Sequence, residues 1–486
     1  MISNKKLHII IPVALLLITL FFSLFKLTES PPIWYDEGII LQPAINSVRT
    51  GKMGMQIAPG EIISSQFIST GYPVIYPISL VFKYFGIGIL QARAVMVVYL
   101  ILLTGALFFL GKSIFGFKNA SYAVLLIVSF APLYGNGKNV LGEVPGLFFL
   151  VLFLYFINKI EHDYTNKPNY ILAGIFAGLC VVTKPLFLVL LPAIAIGLFF
   201  LRKRVQFYWG SIAIGFASFV VPFVIWIKTQ FQESATLLSI LHFYSNPYDV
   251  QNLSELVWNN FLKFFTEFSP AYFFGLFLLW AIAIVIRKKQ SRRLSLVEVV
   301  VFVFSTLVTL AYLRTAGWYR YFFTAQIFAF FFAPSAISTI YIFLKNRIDL
   351  LKKYKVLVFV PVLLIFFLTC VHTYQILFGS WIAQYYLSNR TEVLAGYFKD
   401  IKEDKSIFLY DSPELVVFIP HSNYYQYMEF TKTFLIGESQ LSKIRDAEPD
   451  SVIIKTQALE ENPSLFTSYK IISTIDHYTL LKKSGI

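Results

Sequence analysis

The amino-acid sequence predicts an α-helical polytopic membrane protein of about eleven spans, followed by a small extracytoplasmic α/β domain. The composition, a series of long apolar runs and a change of character in the last hundred residues support this fold class. Of the 486 residues, 57% are hydrophobic and only 14% are charged, whereas soluble domains are about 45–50% apolar and about 25% charged. With only two cysteines, the chain also lacks the composition of a secreted disulfide scaffold.

Apolar runs recur along the first 385 residues. Most of them approach the roughly 20 residues that a helix needs to cross the hydrocarbon core. A shorter run at 74–88 contains Pro77 and Lys83, and we interpret it as a helix at the outer surface that does not span. The first run has no small-residue cleavage site behind it, so we interpret it as a retained span. The eleven runs cover about 8–25, 92–111, 119–134, 140–158, 169–184, 186–201, 207–227, 270–286, 296–313, 320–344 and 356–378.

Basic residues orient these spans. The net charge of +14 is a basic excess of 41 over 27 acidic residues, and 30 of the basic but only 13 of the acidic residues lie in 1–387. This location argues against nucleic acid as a partner and for the positive-inside rule. With 74–88 outside the membrane, 19 basic residues fall on one side. We therefore predict a cell-membrane protein with a cytoplasmic N-terminus and an extracytoplasmic C-terminal domain.

The chain divides into two predicted domains. Residues 1–385 form the transmembrane domain, which includes a first outer loop at 26–90, and residues 386–486 form the extracytoplasmic α/β domain. In the outer loop, 38–48 is a candidate interfacial helix. In the last hundred residues, short β-type runs surround one helical stretch at 438–447. These runs are 406–411, 451–455 and 470–473.

Five basic residues depart from the positive-inside pattern because they fall at the outer ends of predicted spans. Snorkelling or pairing with lipid headgroups explains any one of them. Five at one depth predict a cationic pocket suited to a phosphate group at the outer leaflet. The five are Arg93, Lys138, Lys184, Arg314 and Arg320.

Acidic residues are scarcer. Asp36 and Glu37 follow the first span, and the alternative to a functional role is a solvated pair that caps the next helix. Glu143 lies at the outer edge of an apolar span, where a carboxylate is a functional candidate unless it forms a structural pair with Lys138. An acid beside basic residues on one face suits group transfer from a phosphate-linked lipid. The carboxylate removes a proton from the acceptor hydroxyl, and the cations stabilise the leaving phosphate.

Short motifs follow one another in order over residues 1–345. They are Tyr35-Asp36-Glu37-Gly38, Ser69-Thr70-Gly71-Tyr72-Pro73, Ala92-Arg93, Leu141-Gly142-Glu143-Val144-Pro145, Thr183-Lys184 and Arg320-Tyr321. Their order and spacing resemble the polyprenyl-phosphate-sugar-dependent glycosyltransferases of the GT-C superfamily. Protein O-mannosyltransferases and the lipid A aminoarabinose transferase belong to that superfamily. Gly71-Tyr72-Pro73 stands where the aminoarabinose transferase has Lys-Pro-Pro, which leaves the sugar and the acceptor open.

The resemblance implies an integral membrane glycosyltransferase that transfers a sugar from a polyprenyl-phosphate donor, with inversion, to a glycan, lipid or protein acceptor on the extracytoplasmic face. It makes Asp36 the catalytic base, with Glu37 beside it. It places Glu143 near the acceptor or a divalent metal ion, the only cofactor to which it points. The donor phosphate would be bound by outer-face basic residues, of which Lys184 and Arg320 match the family best, together with Arg93 and Lys138.

Two other functions are compatible with the sequence. A membrane glycan polymerase or ligase would carry out related glycan chemistry. A transporter would need polar or broken helices near the bilayer midplane, often in repeated halves. The charged outliers lie at the outer edge instead, and no internal repeat is visible, so the glycosyltransferase is favoured.

The predicted topology can be tested by cysteine accessibility. Lys289→Cys and Asn423→Cys are introduced separately and labelled with a membrane-impermeant maleimide in intact cells and in opened membranes. Position 423 should react in intact cells and position 289 only after the membrane is opened. Labelling of both from the same side would contradict the eleven-span topology.

Overall fold

The structure is a computed structural model that describes residues 4–202, 207–231, 252–349, 353–354, 358–399, 405–431 and 434–484. Its first half is helical apart from one hairpin. The helices are α1 (Asn4–Leu24), α2 (Tyr35–Thr50), α3 (Tyr72–Phe85), α4 (Ile89–Val128), α5 (Ala131–Lys138), α6 (Glu143–His162), α7 (Lys167–Thr183), α8 (Leu190–Leu201) and α9 (Trp209–Gln230). The hairpin consists of β1 (Gly54–Ala58) and β2 (Glu61–Ser64).

The second half continues with helices and ends in a sheet. The helices are α10 (Leu253–Thr266), α11 (Phe268–Lys289), α12 (Leu296–Tyr312), α13 (Phe323–Lys345), α14 (Val360–Tyr374), α15 (Arg390–Lys399), α16 (Leu441–Arg445) and α17 (Thr456–Glu461). The strands are β3 (Ile407–Tyr410), β4 (Tyr424–Thr431), β5 (Phe434–Ile436), β6 (Ser451–Lys455), β7 (Tyr469–Ile475) and β8 (Tyr478–Lys483).

The chain is a multi-pass membrane protein. Within the described residues, each of the eleven predicted apolar runs coincides with a helix or part of one. Seven of the helical segments described are long and apolar enough to cross a membrane, and three shorter apolar helices accompany them. The number of crossings and the sidedness stay predictions.

Helix α4 contains the predicted run at 92–111 and the first part of the run at 119–134, which was predicted as one span but continues past Val128 into α5. At 40 residues it would be about 60 Å long if straight, twice the roughly 30 Å of the hydrocarbon core. It breaks at Gly116, whose φ of 77° is not helical and is readily adopted only by glycine. The two runs at 92–111 and 119–134 are therefore two separate segments on either side of this break.

The first outer loop holds more structure than the sequence predicted. The candidate helix at 38–48 is confirmed as part of α2, which buries ten consecutive residues from Glu37 to Asn46. The hairpin β1–β2 was not predicted; its strands pair antiparallel around a turn that includes Gly60 with φ 78°. The run at 74–88 forms α3.

The C-terminal part contains a six-stranded sheet in the order β5-β4-β3-β6-β8-β7. The central strands β4, β3 and β6 are parallel, and the outer strands pair antiparallel. Strand β3 alternates between two cores. Ile407 and Leu409 join the main core, whereas Phe408 and Tyr410 join a second one with Phe466. Because both faces are covered, β3 is apolar throughout, as buried parallel strands are.

This sheet packs directly on α2 and the hairpin. The side chains of Gln42 and Gln426 exchange hydrogen bonds of 3.1 and 2.7 Å. Gln56 donates to the carbonyls of Ser422 and Tyr424 at 2.8 and 2.9 Å, and Arg49 donates to two further carbonyls of the same segment. Unlike an appended domain on a linker, the sheet is held to the first outer loop by buried polar contacts.

Gly38 marks the closest approach between α2 and the C-terminal part. A Cβ atom there would lie 2.3 Å from the backbone N and Cα of Glu414, a distance at which the backbones must separate. Gly38→Ala should therefore lower the melting temperature of the purified protein, in line with the roughly 1–3 kcal/mol that overpacking costs, and expose the C-terminal part to protease.

Gly275→Ala in α11 is the matched control, since a Cβ atom there meets nothing within 4 Å. Equal stability of the two variants would show that the sheet does not depend on this contact.

Candidate active site

The first turn of α2 holds both predicted acidic residues. Trp34 precedes the helix in an extended conformation, so Asp36 and Glu37 fall where the helix dipole favours negative charge. Consecutive helical residues point about 100° apart, and the two carboxylates separate accordingly. The Asp36 side chain is 38% exposed, whereas that of Glu37 is fully buried.

Glu37 forms a buried two-point ion pair with Arg93 of α4. Arg93 Nε donates to Glu37 Oε1 at 2.9 Å, and Nη2 donates to Oε2 at 2.7 Å. Glu37 Oε1 also accepts from the backbone N–H of Val140 at 3.1 Å. Both side chains have no solvent exposure, so this pair fixes α2 against α4.

Lys138 and the rest of Arg93 hold the segment that follows α1. Arg93 Nη1 donates to the carbonyls of Leu27 and Pro31, each at 2.8 Å. Lys138 Nζ donates to the carbonyls of Phe25 at 2.6 Å and of Ser30 at 3.0 Å. These contacts occupy both cations, and this favours a structural role for them.

Asp36 pairs instead with Arg320, which lies just before α13. Arg320 Nη1 donates to Asp36 Oδ2 at 2.6 Å. The rings of Trp34, Trp318 and Tyr321 surround the guanidinium, with centroids 4.9, 4.8 and 5.1 Å from Arg320 Cζ. Such cation–π contacts hold the cation in place without neutralising it.

Lys184 and Glu143 form a second ion pair. Lys184 caps the C-terminal end of α7, and Glu143 begins α6. The alternative that Glu143 pairs with Lys138 is wrong, because the partner is Lys184. Oε2 of Glu143 is buried and has no hydrogen-bond partner among the described residues.

A cavity of about 1210 Å³ lies between the helices and the C-terminal sheet. Of the predicted site residues, Asp36, Lys184 and Arg320 line it, and so does Arg314. The described lining residues do not include Glu37, Arg93, Lys138 or Glu143. The structure thus brings one acid and three cations together at one surface and directs the other four residues into the protein.

The sequence reasoning missed the part of this cavity that the C-terminal region contributes. Asp411, Glu414 and Lys455 line it opposite the helices, as do Arg390 and His477. One signal was available in the sequence. Asp411 and Lys455 are the last residues of the predicted strands at 406–411 and 451–455. Residues at the carboxyl ends of neighbouring parallel strands meet at one edge of a sheet.

A second cavity of about 520 Å³ shares Trp34, Trp318, Arg320 and Trp381 with the first. Its other lining residues are mostly small or apolar. These are Ala131, Pro132, Gly135, Asn136, Asn139, Leu141, Gly317, Tyr319, Ser380 and Ile382.

The expectation of a divalent metal at Glu143 finds no support in the donor set. Within the described ranges, no three His, Cys, Asp or Glu side chains are close enough to hold a metal ion together. The charged partner of Glu143 is the ammonium group of Lys184, which would repel a cation.

Comparison with known proteins gives a family match over part of the chain and a shared fold. Residues 73–226 match the dolichyl-phosphate-mannose-protein mannosyltransferase family. ArnT from Cupriavidus metallidurans bound to undecaprenyl phosphate is similar in structure, with a TM-score of 0.63 at 12% identity over 99% of each chain. The chain has the GT-C fold. No curated protein matches the sequence.

Oligosaccharyltransferases also share this GT-C fold. The apo form from Archaeoglobus fulgidus has a TM-score of 0.61 at 12% identity, over 99% of this chain and 75% of that one. AglB from the same organism, in complex with an inhibitory peptide and a dolichol-phosphate, has a TM-score of 0.59 at 13% identity, over 100% and 75%. The predicted helical membrane fold with a C-terminal α/β part is confirmed, and the match at 73–226 agrees with the predicted resemblance to glycosyltransferases.

The buried pair gives a test that separates structure from donor binding. Arg93→Met alone leaves the Glu37 carboxylate unpaired and should destabilise the protein by about 3–5 kcal/mol. Adding Glu37→Met removes that uncompensated charge, so the double variant should recover part of the loss. Thermal unfolding of the purified proteins measures both.

Undecaprenyl phosphate binding is measured on the same proteins. If Arg93→Met keeps the wild-type melting temperature but loses this binding, Arg93 is a donor ligand, as the sequence predicted.

Proposed function

We propose that this chain is an integral membrane glycosyltransferase that moves a sugar from a polyprenyl-phosphate donor to an acceptor hydroxyl on the extracytoplasmic face. The observation that carries the proposal is the juxtaposition of Asp36, Arg320 and Lys184 in one large cavity. It combines a candidate base with two cations suited to a phosphate.

The two cations suit the donor phosphate in different ways. The guanidinium of Arg320 can bind two phosphate oxygens at once, while the ammonium of Lys184 acts as a point charge. The smaller cavity beside Arg320 is mostly apolar, so it suits the first isoprene units of the donor. ArnT and AglB, which share this fold, bind undecaprenyl phosphate and a dolichol-phosphate in their structures, which supports a donor of this class.

The ion pair between Asp36 and Arg320 has a consequence for catalysis. While Asp36 Oδ2 accepts a hydrogen bond from Arg320, that oxygen is not available to the hydroxyl of an acceptor. A donor phosphate competes for the same guanidinium and so frees Asp36. In this scheme the base becomes active when the donor is bound.

The chemical step is a single displacement. The acceptor hydroxyl oxygen attacks the anomeric carbon, and Asp36 takes its proton. The bond between that carbon and the phosphate oxygen breaks, and its electron pair leaves with the polyprenyl phosphate. Arg320 and Lys184 stabilise the negative charge on the leaving group. One displacement inverts the anomeric configuration.

The extracytoplasmic location is supported by the charge distribution. The basic clusters that the positive-inside rule assigns to the cytoplasm lie one predicted span away from cavity residues. Lys184 and Arg202 flank the run at 186–201, and Arg320 and Lys345 stand at the two ends of the run at 320–344. The domain division at residue 385 and the outward orientation of the C-terminal part belong to this proposal.

Asp36→Asn should abolish the base while leaving the shape of the side chain. Membranes that contain the full chain receive a panel of undecaprenyl phosphates, each linked to one radiolabelled sugar. Label is then counted in glycan, lipid and protein fractions. We expect transfer to fall by about 100-fold or more, the usual contribution of a general base.

Asp446→Asn is the matched control, because Asp446 is an exposed residue of the C-terminal part outside the cavity lining. Full transfer by a normally folded Asp36→Asn variant would contradict the assignment of the base. Absence of transfer by the wild-type chain with every donor would contradict the proposed function.

A further inference from the structure

The C-terminal sheet presents a polar wall to the large cavity, which we call the C-terminal wall and define as Asp411, Glu414 and Lys455. The mechanism proposed above uses none of these residues. Asp411 follows β3, Glu414 lies in the 3-10 helix Pro413–Phe418, and Lys455 ends β6. All three line the cavity.

Strand register brings Asp411 and Lys455 together. Tyr410 pairs with Ile454 across the parallel strands β3 and β6, so the following residues are neighbours. Lys455 Nζ lies 3.5 Å from Asp411 Oδ2 and 4.8 Å from the centre of the Tyr35 ring. Asp411 has a φ of 47°. This left-handed backbone conformation is uncommon for residues other than glycine, and such residues cluster at functional sites.

Tyr35 connects this wall to α2. Its hydroxyl donates to Asp411 Oδ1 at 2.7 Å, and Tyr35 is the residue immediately before Asp36. The C-terminal wall is therefore coupled to the helical turn that carries the candidate base, and a molecule held by the wall would lie in the same cavity as Asp36.

Glu414 is the least satisfied polar group of the wall. It is 3% exposed, and its Oε1 accepts a hydrogen bond of 2.6 Å from the hydroxyl of Tyr478. Its Oε2 is buried and has no partner among the described residues. A buried polar atom without a partner costs about 1–3 kcal/mol. Because Glu414 lines the cavity, a hydrogen-bond donor on a bound ligand would satisfy its Oε2 atom.

We propose that the C-terminal wall binds the hydroxyl groups of a sugar in a glycan acceptor. This inference rests on the proposed function and names the class of its acceptor. Sugar hydroxyls both donate and accept hydrogen bonds, so they match a wall in which carboxyl groups alternate with an ammonium group. Tyr35 and Phe430 add aromatic faces to the same cavity, against which the apolar side of a sugar ring can pack.

The charges of the wall argue against other ligands. The carboxylate of Asp411 would repel a phosphate group, and Lys455 would repel an ammonium group. Burial raises the pKa of the Glu414 carboxyl, against the opposing effects of Lys455 and of the hydrogen bond from Tyr478. A neutral hydroxyl is the partner that such a mixed site accepts.

The sheet topology argues against a peptide acceptor on this wall. Extended peptides commonly bind by adding a strand to the edge of a sheet. The edge strands here are β5 and β7, and neither contributes to the described cavity lining. The wall is made by the ends of the central strands, where no strand can be added.

The test measures glycan binding directly. The full-length protein in lipid nanodiscs receives a fluorescently labelled glycan fraction released from the cell envelope of its source, before and after periodate oxidation, which cleaves vicinal diols. Wild-type protein should bind the intact fraction and lose most binding of the oxidised one. Glu414→Gln and Lys455→Met should each weaken binding by about tenfold, the effect of one buried or charged hydrogen bond.

Two controls make the test specific. Glu460→Gln, at an exposed position of α17 outside the cavity lining, should bind the glycan like wild type. Undecaprenyl phosphate binding, measured on the same proteins, should be retained by Glu414→Gln and Lys455→Met, which shows that both variants are folded.

The outcomes separate this inference from the proposed function. No glycan binding by wild type, equal binding of the oxidised fraction, or unchanged binding by both wall variants would overturn it, and so would binding of a protease-sensitive peptide fraction in its place. Failure of the proposed function shows instead as absent sugar transfer from every donor, whether or not the glycan binds.

Discussion

The buried ion pair between Glu37 and Arg93 is the interaction on which the site depends. It joins the first turn of α2 to α4 in a region that water does not reach. Neither charge is tolerable there alone, because an unpaired buried ion costs several kcal/mol. The pair therefore fixes the rotation of α2 about its axis. With Glu37 turned inward, the preceding residue, Asp36, faces the cavity.

A second constraint comes from the C-terminal part, whose 3-10 helix at Pro413–Phe418 packs against Gly38 and whose strand β4 is hydrogen-bonded to Gln42 through Gln426. The helix that carries Asp36 is thus held between the membrane helices and the sheet. The membrane helices and the C-terminal sheet meet along α2, and the space that they leave open beside the first turn of α2 is the cavity. Its polar residues come from regions far apart in sequence, as the separation of 284 positions between Asp36 and Arg320 illustrates.

The candidate site was predictable in part. The outer ends of apolar spans indicated Lys184 and Arg320, and the acid after the first span indicated Asp36; all three line the cavity. The same reasoning selected Arg93 and Lys138, which are occupied by Glu37 and by backbone carbonyls. Position along a span gives the depth of a charge, but the direction of the side chain depends on neighbouring helices. Asp411 and Lys455 were missed because their proximity arises from strand pairing.

By itself, the sequence determined the membrane class, the positions of the apolar helices, the presence of a C-terminal α/β part and the resemblance to a family. The first three follow from composition and local periodicity, which short stretches of chain already contain, and the resemblance rests on the order of short motifs. The tertiary structure decided which charges are paired, which face the cavity, and that the C-terminal sheet forms one of its walls. The physical reason is that a charge can be buried only where a partner of opposite charge or a hydrogen-bonding group meets it, and here the partners are far apart in the chain.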